Sequence, residues 1–183
     1  ALPAGYIEEV SPAIAATDVE HLAALTGPDD LRLSLYRSRR KDGGLRFKLY
    51  RQLDDIPLSD ALPMMENMGL RVISEHPYKV DAAAGLAYIQ DFEVESLQGE
   101  LDIDAIDEDF EDAFERVWRG DAENDGFNRL ILLAQLDWRQ VSVLRGYAKY
   151  LLQTGVPFSQ AYMEQTLTSY PDIAGLLVEL FES

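Results

Sequence analysis

The sequence predicts an α+β fold, with an antiparallel sheet domain in the first half and a helical domain in the second. Two stretches of strict alternation, residues 31–36 and 45–50, carry the two-residue period of strands. Farther on, Phe110, Ala113, Phe114, Val117 and Trp118 recur at i, i+3, i+4, i+7 and i+8, the period of a helix with one apolar face. Between and after them, Gly and Pro fall where elements should end or begin.

Taken in order, Ser11-Pro12 is a helix start, with Ser as cap and Pro in the first helical position. Ala15, Val19, Leu22 and Leu25 give this helix an apolar face, and Gly27-Pro28 stops it. In the alternating runs, Leu31, Leu33 and Leu35 interleave with Arg32, Ser34 and Tyr36, and Leu45, Phe47 and Leu49 with Arg46, Lys48 and Tyr50. Around SRRKDGG they read as a β-hairpin, its turn supplied by Asp42-Gly43-Gly44. One face is leucine-rich and the other basic, the pattern expected of a sheet covered on one side only.

Leu58 to Met68 reads as a short helix with Leu58, Ala61, Leu62, Met65 and Met68 on one face. Pro63 fits its first turn if Asp60 is the cap. Arg71–Val80 and Leu86–Val94 are two further strands around DAAAG, and Pro77 makes the first an edge or irregular strand. The order α-β-β-α-β-β becomes the ferredoxin-like β-α-β-β-α-β when the last strand is moved to the front. A four-stranded antiparallel sheet with both helices on one face is the economical arrangement.

From Asp91 to Asp125 the chain holds 15 of its 33 acidic residues, against two arginines. The helix at 110–118 lies inside this stretch. Asp137 and Gln140 then have the spacing of a capping box, followed by Val141, Leu144, Ala148 and Leu151 at helical spacing. Gly155 and Pro157 stop that helix, Ser159 caps the next, and Pro171 opens a last one with Ile173, Leu176, Leu177 and Leu180.

Three runs carry a family resemblance: DGFNRL at 125–130, LDWRQVSVLRGYAKYLLQTGVPFSQAYM at 136–163 and LPMMENMGLRVISEHPY at 62–78. They resemble a region of the large bacterial NAD-specific glutamate dehydrogenases that precedes the catalytic domain. The resemblance implies a parent enzyme that oxidatively deaminates L-glutamate with NAD, as a cytoplasmic homo-oligomer. The sheet half is similar to a circularly permuted ACT domain, a fold that senses amino acids, which makes an amino-acid effector an expected partner. The expected domains are a lead-in at 1–10, an ACT-like domain at 11–96 and a helical domain at 97–183. The first residue is not Met and the last apolar pattern is still running at Phe181, so the chain reads as a piece of a longer polypeptide with its final helix truncated.

Composition narrows the chemistry. The net charge of −17 argues against a general nucleic-acid role, which relies on an excess of Lys and Arg. Without cysteine there is neither a disulfide nor a thiolate site, and no apolar run nears the ~18 residues of a membrane span. Asp121, Glu123, Asp125 and Gly126 mimic the first positions of a calcium loop, but Leu132 stands where its bidentate Glu should be. Asp102, Asp104 and Asp107 are a weaker imitation, lacking the glycine. No GxGxxG, Walker, GxSxG or HExxH motif occurs, and His21 and His76 have no sequence partner. No catalytic, cofactor-binding or metal residue is therefore expected, and NAD would belong to the parent.

Two non-catalytic groupings stand out. Half of the 16 basic residues lie between Arg32 and Arg51. Arg39, Arg40, Lys41, Arg46 and Lys48 among them form a candidate patch for an anionic effector or acidic partner. Trp138, Arg139, Arg145, Tyr147 and Tyr150 are candidate contacts to another domain or subunit, being residue types that interfaces favour.

Overall fold

The computed structural model describes residues 2–38, 44–82, 85–97, 99 and 101–183. The elements are α1 (Ala4–Glu9), α2 (Pro12–Ala24), β1 (Arg32–Arg37), β2 (Leu45–Gln52), α3 (Leu58–Asn67), β3 (Leu70–Ala82) and β4 (Gly85–Ser96). They are followed by α4 (Ile103–Arg119), a 3₁₀ turn (Gly126–Arg129), α5 (Leu130–Ala134), α6 (Trp138–Gln153), α7 (Gln160–Ser169) and α8 (Pro171–Glu182). The chain divides into two compact units. One is Ala1–Leu58 with Val72–Glu95, and the other is Ser59–Arg71 with Ser96–Ser183.

The first unit holds a four-stranded antiparallel sheet in the order β1-β2-β4-β3. With β4 relabelled as the first strand, this is the ferredoxin-like, ACT-like arrangement expected from the element order. β3 takes an edge, the position in a sheet where a proline such as Pro77 is tolerated. The register aligns Leu35, Phe47 and Phe92 on one face, and Ser34, Lys48 and Asp91 on the other. The expected hairpin strands pair as read, while Arg39–Gly43 and Ala83–Ala84, on which the two turn readings rest, lie outside the described residues.

One expectation is corrected here: both faces of the sheet are buried. Leu33, Leu35, Phe47 and Leu49 are buried on the leucine face, and Lys48, Tyr50, Ile89 and Asp91 on the other. The second face is covered by α1 and α2, whose Tyr6, Leu22 and Leu25 pack with Tyr50, Tyr78, Val80, Ala87 and Ile89. Residues 4–9, expected as a lead-in, thus contribute a core residue in Tyr6. Helix α2 is also rotated from the sequence reading. Its inward stripe runs Ala15, Asp18, Leu22, Leu25, and Val19 is 50% exposed. An acidic side chain interrupts that stripe because the sheet offers it a cation.

In the second unit, Ile103, Ile106, Phe110, Ala113 and Phe114 of α4 are buried, together with Phe127, Leu130, Ile131, Val141, Leu144 and Ala148. The apolar stripe read at 110–118 begins two turns before its first phenylalanine, at Ile103 and Ile106. Helix α3 buries Ala61, Met64 and Met65 and starts at Leu58, not after Asp60. Pro63 therefore sits in the second turn and cannot donate to the Ser59 carbonyl, a local cost that burial of the methionine face offsets.

The capping reading at 137–140 is realised in full. Asp137 accepts from the amides of Arg139 and Gln140 at 2.7 and 2.8 Å, and the Gln140 side chain accepts from the Asp137 amide at 3.1 Å. Ser159 caps α7 through the Tyr162 amide, and Gly155, at φ +82°, takes the left-handed conformation that ends α6. Asp137→Ala removes the acceptor for two first-turn amides. It should cost about 1 kcal/mol, seen as a fall of about 2–4 °C in thermal unfolding of the chain.

Candidate functional site

The densest polar chemistry lies on the inner face of the sheet, beneath α1 and α2. Alternation along β2 places Arg46, Lys48 and Tyr50 on that face, and the register sets Asp91 of β4 beside Lys48. Helix α2 brings Asp18 down onto them. The Lys48 ammonium is 0% exposed and sits 2.6 Å from Asp18 Oδ2 and 3.7 Å from Asp91 Oδ2. Tyr50 donates to Asp18 Oδ1 at 2.7 Å, and the Tyr6 hydroxyl of α1 donates to Asp18 Oδ2. The rings of Tyr36 and Tyr6 face the ammonium at 5.5 and 6.0 Å. Arg46 closes the group with a two-pronged bond to Asp91: Nε to Oδ1 at 2.9 Å and Nη2 to Oδ2 at 2.9 Å.

Every phenol of the cluster is held neutral. Burial, followed by the hydrogen bond and the charge of Asp18, pushes Tyr6 far above the usual phenol range. Burial and the Asp18 charge do the same to Tyr50, and burial with the Asp91 charge to Tyr36. His21, stacked on Tyr50 at 4.7 Å between ring centroids, is lowered by burial, with Asp18 opposing and Arg32 reinforcing the shift. At the rim, Glu9 accepts from Tyr78 at 2.5 Å and lies 3.5 Å from His76 Nδ1. Burial and that hydrogen bond raise Tyr78 as well.

A second cluster lies in the helical unit, at the calcium-like spacing of Asp121, Glu123 and Asp125. Asp125 receives Arg145 through Nε at 2.7 Å and Nη2 at 2.9 Å, and caps the following turn at the Phe127 amide. Arg145 Nη2 also donates to Asn128 Oδ1 at 2.7 Å, and Asn128 returns to the Glu123 carbonyl. Glu123 pairs with Lys149, and Asp121 with Arg116. Gly126 permits a close approach of α7, since a Cβ there would lie 2.5 Å from Glu164 Oε2. These carboxylates are engaged by arginine and lysine side chains.

Of the residues singled out from sequence, Arg39, Arg40 and Lys41 lie outside the described residues. Arg46 and Lys48 point into the buried cluster, their charges already met by Asp91 and Asp18. Trp138 is half-buried, with guanidinium groups of Arg116 and Arg139 at 5.3 and 4.8 Å from its ring. Arg145 is buried in its own unit, whereas Arg139, Tyr147 and Tyr150 are exposed. Asp18, Tyr6, Tyr50 and Asp91 carry no site motif in the sequence. The signal for Asp18 was a charge at i+3 between Ala15 and Leu22, inside an otherwise apolar stripe.

Comparison with known proteins gives a consistent answer along the chain. Residues 1–25 match the family model for glutamate dehydrogenase helical motif 2, residues 30–106 that for the glutamate dehydrogenase ACT3 domain, and residues 122–183 that for helical motif 3. The NAD-specific glutamate dehydrogenase of Halomonas elongata is 47% identical over 184 residues, covering 100% of this chain. Those of Pseudomonas aeruginosa and Mycobacterium tuberculosis are 42% and 34% identical over 99% and 97% of it. The chain spans about 11% of the length of each of these relatives.

Two measurements test the buried cluster. Asp18→Ala strands Lys48 without its main counter-charge and should cost about 3–5 kcal/mol in denaturant unfolding. Replacing both partners, Asp18→Leu with Lys48→Met, should recover most of that loss, because no charge is then left buried. Absorbance titration of the nine tyrosines should show Tyr6, Tyr36, Tyr50 and Tyr78 silent while the fold persists. A raised phenol favours the folded state below its unfolded value of about 10, so stability should fall as pH rises above it.

Proposed function

The chain belongs to the glutamate dehydrogenase family, as the stretch carrying its helical motif 2, ACT3 domain and helical motif 3, and we propose that it is a non-catalytic connecting region of an NAD-dependent enzyme of that family. The parent reaction would convert L-glutamate, NAD and water to 2-oxoglutarate, ammonia and NADH, with its reactive groups and its nucleotide site elsewhere in the polypeptide. A reducing cytoplasm suits this cysteine-free chain. Among the described residues no helix is long and apolar enough to cross a membrane.

One observation carries this reading. The charged groups nearest to chemistry, Lys48 with Asp18 and Arg145 with Asp125, are closed into ion pairs inside their own units, where they hold elements together. The chain also offers aromatic and aliphatic side chains outward. Tyr147 and Tyr150 stand exposed on α6, with Phe181 of α8 edge-on to Tyr147 at 6.1 Å. Such side chains supply contact area at small entropic cost and are favoured where proteins meet.

The ACT3 match over residues 30–106 favours a second reading, an amino-acid-sensing module of the same enzyme. One experiment on the full-length enzyme separates the two. Tyr147→Ala, at a side chain exposed in this chain, should weaken assembly about tenfold in sedimentation or light scattering, with effector response unchanged. Titration calorimetry against a panel of amino acids should be silent when its heats are compared between the wild type and a variant lacking residues 30–106. Heat that disappears with those residues would establish the sensing reading instead.

A further inference from the structure

Helix α8 carries two apolar stripes. The inner one, Ala174 and Val178, is buried in the helical unit. The outer one is Ile173, Leu176, Leu177 and Leu180, at i, i+3, i+4 and i+7, exposed by 50, 62, 42 and 73%. At 100° per residue these four side chains lie within a band about 100° wide, the footprint of a helix set into a groove. Phe181, beside Tyr147, continues the surface toward α6. Large contiguous apolar surfaces are uncommon on proteins that work alone, and mark places where something docks.

The charges beside the stripe say what kind of surface fits it. Asp172 and Glu179 project along the same edge, next to Leu176, and among the described residues neither carboxylate has a hydrogen bond or ion pair. A groove that covers this stripe is best matched by an apolar floor with Lys or Arg along that rim. A second copy of this chain fits poorly, since its net charge is −17 and like charges brought together across an interface are costly. The relatives offer another source, because the matched region is about 11% of their length.

We propose that the outer stripe of α8 docks into an apolar groove with a basic rim, formed by another part of the same glutamate dehydrogenase polypeptide. This rests on the connecting role proposed above and names the chemistry of one of its contacts. In this arrangement Leu177 and Leu180 fill the groove, and Asp172 and Glu179 meet its cationic rim.

The test uses the full-length enzyme, treated with a carbodiimide that joins carboxylates directly to lysine amines. Asp172 or Glu179 should couple to a lysine outside residues 1–183, within one polypeptide when light and ¹⁵N-labelled copies are assembled together. Leu177→Glu with Leu180→Glu should reduce that coupling at least tenfold and accelerate amide exchange across 171–182. Both leucines face outward, so the near-ultraviolet circular dichroism of the variant should match the wild type. Coupling between light and heavy copies would overturn the proposal in favour of self-association. Wild-type exchange across 171–182 as fast as in the variant, with both carboxylates labelled freely by a small amine, would overturn it outright. If that occurs while Tyr147→Ala still weakens assembly, the connecting role stands and only the α8 contact falls; if Tyr147→Ala also has no effect, both fall.

Discussion

The contact between Asp18 and Lys48 is the constraint on which the first unit turns. A lysine ammonium with no exposure is tolerable only when a carboxylate replaces its water, and Asp18 does so at 2.6 Å. That requirement fixes the rotation of α2 and sends Val19 outward in place of the acid. It also draws in α1, because Asp18 has oxygen lone pairs left over and Tyr6 and Tyr50 fill them. The apolar residues around the cluster supply most of the burial, but they would accept several helix rotations. The ion pair accepts one.

The helical unit solves the same problem with different residues. Arg145 is buried on α6, and its planar donor fork meets both oxygens of Asp125 and the amide oxygen of Asn128. The loop between α4 and the 3₁₀ turn is thereby tied to α6, and Gln160 reaches Asp125 from α7. In both units a carboxylate from one element is satisfied by a cation from another. Breaking either pair leaves a charge without solvent or partner.

This arrangement bears on function through what it leaves available. Lysine and aspartate side chains that take part in proton transfer need access to a substrate and a tuned charge. Here the buried examples are turned inward and paired with opposite charges, and the outward surfaces of α6 and α8 are rich in tyrosine, leucine and isoleucine. A region built this way is suited to transmitting position and rigidity to its neighbours. That is the physical content of the connecting role proposed for this chain.

Much of the fold was legible because it follows from local rules. The capping box at Asp137 and Gln140, the proline at the start of α8, the alternation in β1 and β2 and the edge position of Pro77 each depend on a few neighbouring residues. Family membership was legible too, from three runs of residues. The burial of the basic sheet face was not. Period-two alternation marks which side chains share a face, but it does not say whether water or a helix lies above that face. Nor could the spacing of Asp121, Glu123 and Asp125 reveal that arginine and lysine would take their charges. The sequence by itself determined the elements, their order and their kinship. Only the tertiary structure decided which charges are buried together, because such pairing joins residues 30 apart, as in Asp18 and Lys48, and becomes favourable only once packing has excluded water from both.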